Sequence, residues 1–100
     1  MYTHAEGSNT KASGYSSHSE GLFTTASSEA CHSEGKNSIA SGYVSHAEGY
    51  GTTASAAQTH AEGNATTAAG QGSHSEGKQT KANGSYSHTE GDNTVAGSHF

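Results

Sequence analysis

Small and polar residues alternate along this chain in a pattern that repeats every 14 residues. The unit T-H-A-E-G at 3–7 recurs as S-H-S-E-G at 17–21, C-H-S-E-G at 31–35, S-H-A-E-G at 45–49, T-H-A-E-G at 59–63, S-H-S-E-G at 73–77 and S-H-T-E-G at 87–91. A second five-residue unit begins seven residues after each: T-K-A-S-G at 10–14, T-T-A-S-S at 24–28, S-I-A-S-G at 38–42, T-T-A-S-A at 52–56, T-T-A-A-G at 66–70, T-K-A-N-G at 80–84 and T-V-A-G-S at 94–98. Two residues separate successive units, without insertion. Five residues suit a short strand and two a tight corner, and neither unit is long enough for a helix. A fixed period of this kind marks stacked structural repeats. The pattern predicts an all-β fold: a parallel β-solenoid, or β-roll, of seven 14-residue coils with two short strands per coil. It forms one repeat domain over 1–100, with coils starting at 3, 17, 31, 45, 59, 73 and 87.

Alternate side chains of a strand share a face. In the first unit the first, third and fifth positions hold Thr, Ser or Cys, then Ala, Ser or Thr, then Gly in all seven copies. In the second unit they hold Thr or Ser, then Ala in all seven copies, then Gly, Ala or Ser. Residues this small fit between two strands of a narrow coil, so both sets, the Gly column and Cys31 included, are expected in the interior. The even positions then face outward. In the second unit they vary through Lys11, Thr25, Ile39, Thr53, Thr67, Lys81 and Val95, as ordinary solvent surface does. In the first unit they do not vary: His4, His18, His32, His46, His60, His74 and His88 alternate with Glu6, Glu20, Glu34, Glu48, Glu62, Glu76 and Glu90. One face is held identical while the rest of the repeat drifts.

Composition sharpens the picture. Hydrophobic residues are 28% of the chain, yet 15 of them are Ala and only six are Leu, Ile, Val or Phe, which excludes a conventional globular core. A charged fraction of 13% and the absence of Pro argue against disorder imposed by composition. A lone roll with this interior gains little from apolar burial, at ~25 cal/mol per Å², against ~1–2 kcal/mol per backbone residue ordered. Association of copies is the expected remedy.

Charge narrows the partners. The balance is −5 with histidine neutral, and four lysines plus eight protonated histidines against nine acids would make it +3. Four basic residues make nucleic acid an unexpected partner. No stretch is apolar enough for a membrane span, and the start M-Y-T-H-A-E-G lacks the regions of a signal peptide. The single Cys31 excludes an intrachain disulfide framework. Since Met1 begins inside a repeat and Phe100 stops just beyond one, a segment of a longer fibre is expected.

S-H-A-E-G-Y-G-T-T-A-S-A at 45–56 matches a loose S-x-A-x-G, two residues, S-x-A-x-G pattern. On these residues the chain resembles the head repeats of trimeric autotransporter adhesins, the YadA-like left-handed parallel β-roll, over 3–98. It is also similar to repeats in bacterial and phage surface fibres. The resemblance implies a left-handed roll, a homotrimer, and a stalk or head at a cell surface or virion. Where that family places apolar side chains against neighbouring subunits, this chain places His and Glu.

Coils ~4.8 Å apart stack His over His and Glu over Glu, so each Glu needs a compensating partner. His on the same face or on an adjacent chain supplies it, and the seven His and seven Glu are the expected oligomer interface. Such pairing is expected to raise the folded His pKa. An exposed polar face made uniform by repeat duplication is one alternative. Another is a transition metal on the His ladder, since His and Glu two apart on a strand point the same way; no other cofactor is implied. Catalysis is not expected, because a catalytic constellation is a singular arrangement in a pocket, not a motif recurring every 14 positions. Phe23 and Tyr50 sit at one set of corners and Tyr15, Tyr43 and Tyr86 at the other, where they project outward to bind a host surface glycan or protein, or to cover the coil edges. His99 is out of register. The expected function is a structural or adhesive segment of an extracellular fibre, an adhesin head or stalk or a phage tail fibre. A filament of rolls stacked end to end and an ice-binding solenoid are the alternatives.

Overall fold

The computed structural model describes residues 3–97, whose regular structure is all strand; His99 lies outside them. First strands run His4–Ser8, His18–Leu22, His32–Lys36, His46–Tyr50 and His60–Asn64, then shorten to His74–Ser75 and His88–Thr89. Second strands are Lys11–Ala12, Thr25–Ala26, Ile39–Ala40, Thr53–Ala54, Thr67–Ala68, Lys81–Ala82 and Val95–Ala96. Each set forms one seven-stranded parallel sheet in coil order. The register offset is always 14 residues, so His4 faces His18, Glu6 faces Glu20 and Ala12 faces Ala26. The result is a parallel β-solenoid, a slab with extents of 35 × 22 × 10 Å.

The second strands are shorter than the five residues expected. The hydrogen-bond ladder nevertheless continues past their ends, Ser13 N–H donating to the Ala26 carbonyl and Ser27 N–H to that of Ala40. The chain curves there while staying tied to the next coil. Corners obey the same rule. Their second residues adopt positive φ, 56° at Phe23 and at Val44 and 57° at Asn37. That conformation aims each N–H along the stack: Phe23 donates to the Ser8 carbonyl at 2.9 Å and Val44 to that of Glu29 at 3.0 Å. Asn tolerates such angles and Val does not, so Val44 holds its place at a cost in strain of ~1–2 kcal/mol.

The interior contains the small residues expected. Ala26, Ala40, Ala54, Ala68 and Ala82 are fully buried from the second strands, and Ser19, Ser33, Ala47, Ala61 and Ser75 from the first. Hydroxyls entering this narrow space close the corners. Thr24, Ser38, Thr66 and Thr80 each donate to the main-chain carbonyl of the Glu four residues earlier. At the opposite corner Ser17, Thr59 and Ser87 donate to the carbonyl three residues back. Cys31 uses its thiol in that slot, donating to the Ser28 carbonyl at 2.8 Å. Burial pushes this thiol's pKa up. It is an interior residue, as its register implied.

The Gly column is a correction. Gly21, Gly35, Gly49, Gly63 and Gly77 are exposed, not interior. Simple alternation fails because the backbone leaves regular strand geometry there, with φ of 104° at Gly35. A Cβ at Gly35 would overlap the Gly49 carbonyl oxygen of the next coil. Glycine is therefore required for conformation and close approach rather than for filling. Gly35→Ala is expected to lower stability by roughly 3 kcal/mol. Val44→Asn, which relieves strain at an exposed corner, is expected to raise it by about 1 kcal/mol. Urea denaturation of the two variants checks both signs.

Candidate functional site

The first sheet presents the His and Glu columns side by side on its outer face. From His18 to His88 the imidazoles stack with centroids 4.5–4.7 Å apart and planes within 8° of parallel. The first pair, His4 and His18, is tilted by 39°. Backbone register imposes the spacing, since each His occupies the same position one coil further on.

Every Glu carboxylate from Glu34 to Glu62 lies between two imidazoles, one oxygen directed at each. Glu34 sets Oε2 at 3.7 Å from His32 Nε2 and Oε1 at 3.8 Å from His46 Nε2. Glu48 spans His46 and His60 at 3.8 and 3.5 Å, and Glu62 spans His60 and His74 at 3.7 and 3.4 Å. Glu76 reaches His74 at 3.9 Å and His88 at 3.3 Å, the shortest His–Glu separation among the described residues. The sequence expectation that each Glu finds a His is met within one chain from Glu6 to Glu76. Glu6 and Glu20 pair with His4 and His18 of their own coils at 3.4 and 3.7 Å. Glu90, on the last coil, has no His partner among the ion pairs of the described residues; there His88 turns to Glu76.

The ladder is half-buried. In the middle coils the His and Glu side chains retain about a third of their exposure, 36% and 32% at His46 and Glu48. Yet the Nε2 atoms of His18, His32, His46, His60 and His74 are themselves shielded and have no hydrogen-bond partner. Beside the Glu column the exposed glycines leave an open groove, lined over the first three coils by Glu6, Gly7, Glu20, Gly21, Glu34 and Gly35.

Electrostatics run against the expected rise in His pKa. His46 is held below the usual 6.5, chiefly by burial and then by the stacked His60 and His32, and Glu34 offsets this only in part. Stacking places like groups nearer than a simple pairing picture allows. Glu62 is held below the usual 4.5 by hydrogen bonding with the Glu48 and Glu76 carboxyls, with His60 and His74 acting in the same direction against desolvation.

The other surfaces are less regular. On the second sheet Lys81 is exposed, as are Ile39 at 41% and Val95 at 64%. Thr24, Thr52, Thr66 and Thr80 point inward and are fully buried, so the regular Thr column is not available to ice. Tyr15, Phe23, Tyr43, Tyr50 and Tyr86 project at the corners, each more than half exposed. Lys36 places its Nζ 5.4 Å from the Tyr50 ring centroid, a cation–π contact across adjacent coils. Sequence reasoning missed the positive-φ corners; Asn9, Asn37, Gly51, Gly72 and Asn93 in those registers were the available signal.

No protein-family model, curated protein or solved structure matches this chain.

The two shifts make acid destabilising. Between pH 6.5 and the lower folded value of His46, the unfolded chain takes up a proton that the fold refuses. The stability that Glu62 contributes is present above 4.5 and lost as pH falls through its folded value. The urea midpoint is expected to fall from pH 7 to pH 5, and His46→Gln to flatten that slope. A midpoint that rises on acidification would contradict the assignment.

Proposed function

We propose that this chain is a rigid structural segment of an extracellular fibre, an adhesin head or stalk or a phage tail fibre. Three copies associate as left-handed rolls through their His/Glu faces. The observation that carries the reading is the repetition of that face, with imidazoles stacked at 4.5–4.7 Å beside a column of exposed glycines. Glycine leaves no side chain between one copy's backbone and the next, so a second flat face can approach closely.

The interior supports association. Among the described residues its buried apolar side chains are seven alanines and Cys31, which supply little hydrophobic stabilisation to a slab 10 Å thick. Covering a half-buried ladder withdraws further surface from water, and the His/Glu pairing already present limits the cost of desolvating it. The same regularity favours a structural role over catalysis, since the open groove beside the Glu column repeats with the coils and encloses no singular site. Exposed Tyr and Phe at the corners supply the adhesive contacts, suited to a host surface glycan or protein along the sides of the fibre.

Light scattering tests the assembly. The expected mass is that of three copies of the 10.1 kDa chain. Thr53→Arg, on the opposite sheet, is expected to keep that mass, and Glu48→Arg, on the ladder, to reduce it to one copy. A monomeric parent chain would return the ladder to solvent and refute the reading.

A further inference from the structure

The mutual geometry of imidazole and carboxylate has more to give than pairing. His46 Nε2 lies 3.8 Å from an oxygen of Glu34 in the preceding coil and 3.8 Å from one of Glu48 in its own. His60 is flanked likewise by Glu48 and Glu62 at 3.5 and 3.7 Å, and His74 by Glu62 and Glu76 at 3.4 and 3.9 Å. These separations are too long for good hydrogen bonds. The shorter of them match, and the longer exceed by a few tenths of an ångström, the distance of about 3.3–3.5 Å between two ligand atoms of a tetrahedral site whose metal bonds are about 2.0–2.1 Å. The histidine nitrogens at these positions are shielded and have no hydrogen-bond partner. One imidazole and two carboxylates is a ligand set of the kind first-row transition ions accept, with water completing the shell.

We propose that the His/Glu face binds divalent transition ions of the zinc class, each held by one His Nε2 between the carboxylate of its own coil and that of the preceding coil, on alternate coils. The ring stacking decides which atoms can share an ion. The ligand atoms of two consecutive His and the Glu between them, such as His46, Glu48 and His60, lie within 4.8 Å of one another. Yet consecutive imidazoles lie nearly parallel, within 3° for His46 and His60, so their in-plane lone pairs run side by side rather than converging. At His46, His60 and His74 the carboxylates of two coils do converge on Nε2.

Charge decides the filling. Neighbouring sites are one coil, 4.7 Å, apart and share a carboxylate, so two divalent ions in adjacent sites would repel strongly with too little negative charge between them. An ion at His46 uses Glu34 and Glu48, and an ion at His74 uses Glu62 and Glu76. Each site is then neutral, no carboxylate is shared, and His60 between them is left free. Towards the first coil, His18 lies 3.7 Å from Glu20 and has a Glu6 ligand atom within 4.8 Å, which adds a looser site for about three ions per chain.

All the ligands come from one chain, so the site does not depend on the trimer. Equilibrium dialysis of the intact chain against micromolar Zn²⁺ is expected to give about three bound ions. The double variant Glu34→Gln, Glu48→Gln keeps every histidine and is expected to lose one ion, or to bind it at least tenfold more weakly. His46→Gln, His74→Gln is expected to lose two sites or shift occupancy to His60; far-UV circular dichroism of each variant confirms the fold. Absence of binding, six or seven ions per chain, or unchanged binding in the carboxylate variant would each overturn the proposal. Light scattering on the same samples separates the two readings: a monomer that binds zinc refutes the trimer alone, and a trimer that does not bind it refutes the metal site alone.

Discussion

The constant 14-residue offset between coils is the constraint on which everything else in this molecule rests. A core of Ala, Ser and Thr supplies too little apolar burial to define a fold by itself. Backbone hydrogen bonds from coil to coil take over that role, and they run around the whole coil, corners included. Each corner must therefore turn in the same way every time. Positive φ at positions such as Asn37, Val44 and Gly51 achieves this, and interior hydroxyls bonded to main-chain carbonyls hold the turns closed.

Once register is fixed, the outer face follows. Identical residues one coil apart must stack, whether or not their charges favour it. The chain resolves the resulting repulsion by interleaving, with each central carboxylate between two imidazoles. The resolution is partial: at His46, burial and the flanking imidazoles together outweigh the carboxylate. Like groups brought together by the backbone, with shielded nitrogens that have no hydrogen-bond partner, leave the ladder poised for a further compensating species. A second copy of the chain and a divalent cation are the two proposed for it.

The repeat made the coil count, the parallel pairing and the small-residue interior legible from the sequence, because a solenoid writes its period directly into the chain. The outward direction of His and Glu followed from strand alternation. The Gly column did not, because alternation assumes extended backbone and Gly35 leaves it at a φ of 104°. Corner geometry was hidden for a related reason: Phe23, Ala30 and Val44 occupy left-handed positions that their side chains disfavour, so composition there misleads. The sense of the His46 shift was also hidden, since it depends on how closely three imidazoles stack and how far they are shielded.

The register claim is tested most directly by two deletions compared by thermal unfolding under far-UV circular dichroism. Removing 45–58 excises one whole coil of 14 residues and joins Val44 to Thr59 in register. Removing 46–58 takes out one residue fewer, which turns interior and exterior side chains over on one side of the junction. The first deletion is predicted to keep a cooperative β transition and the second to lose the coils on one side. Equal stability of the two would contradict the claim that the 14-residue register holds the fold together.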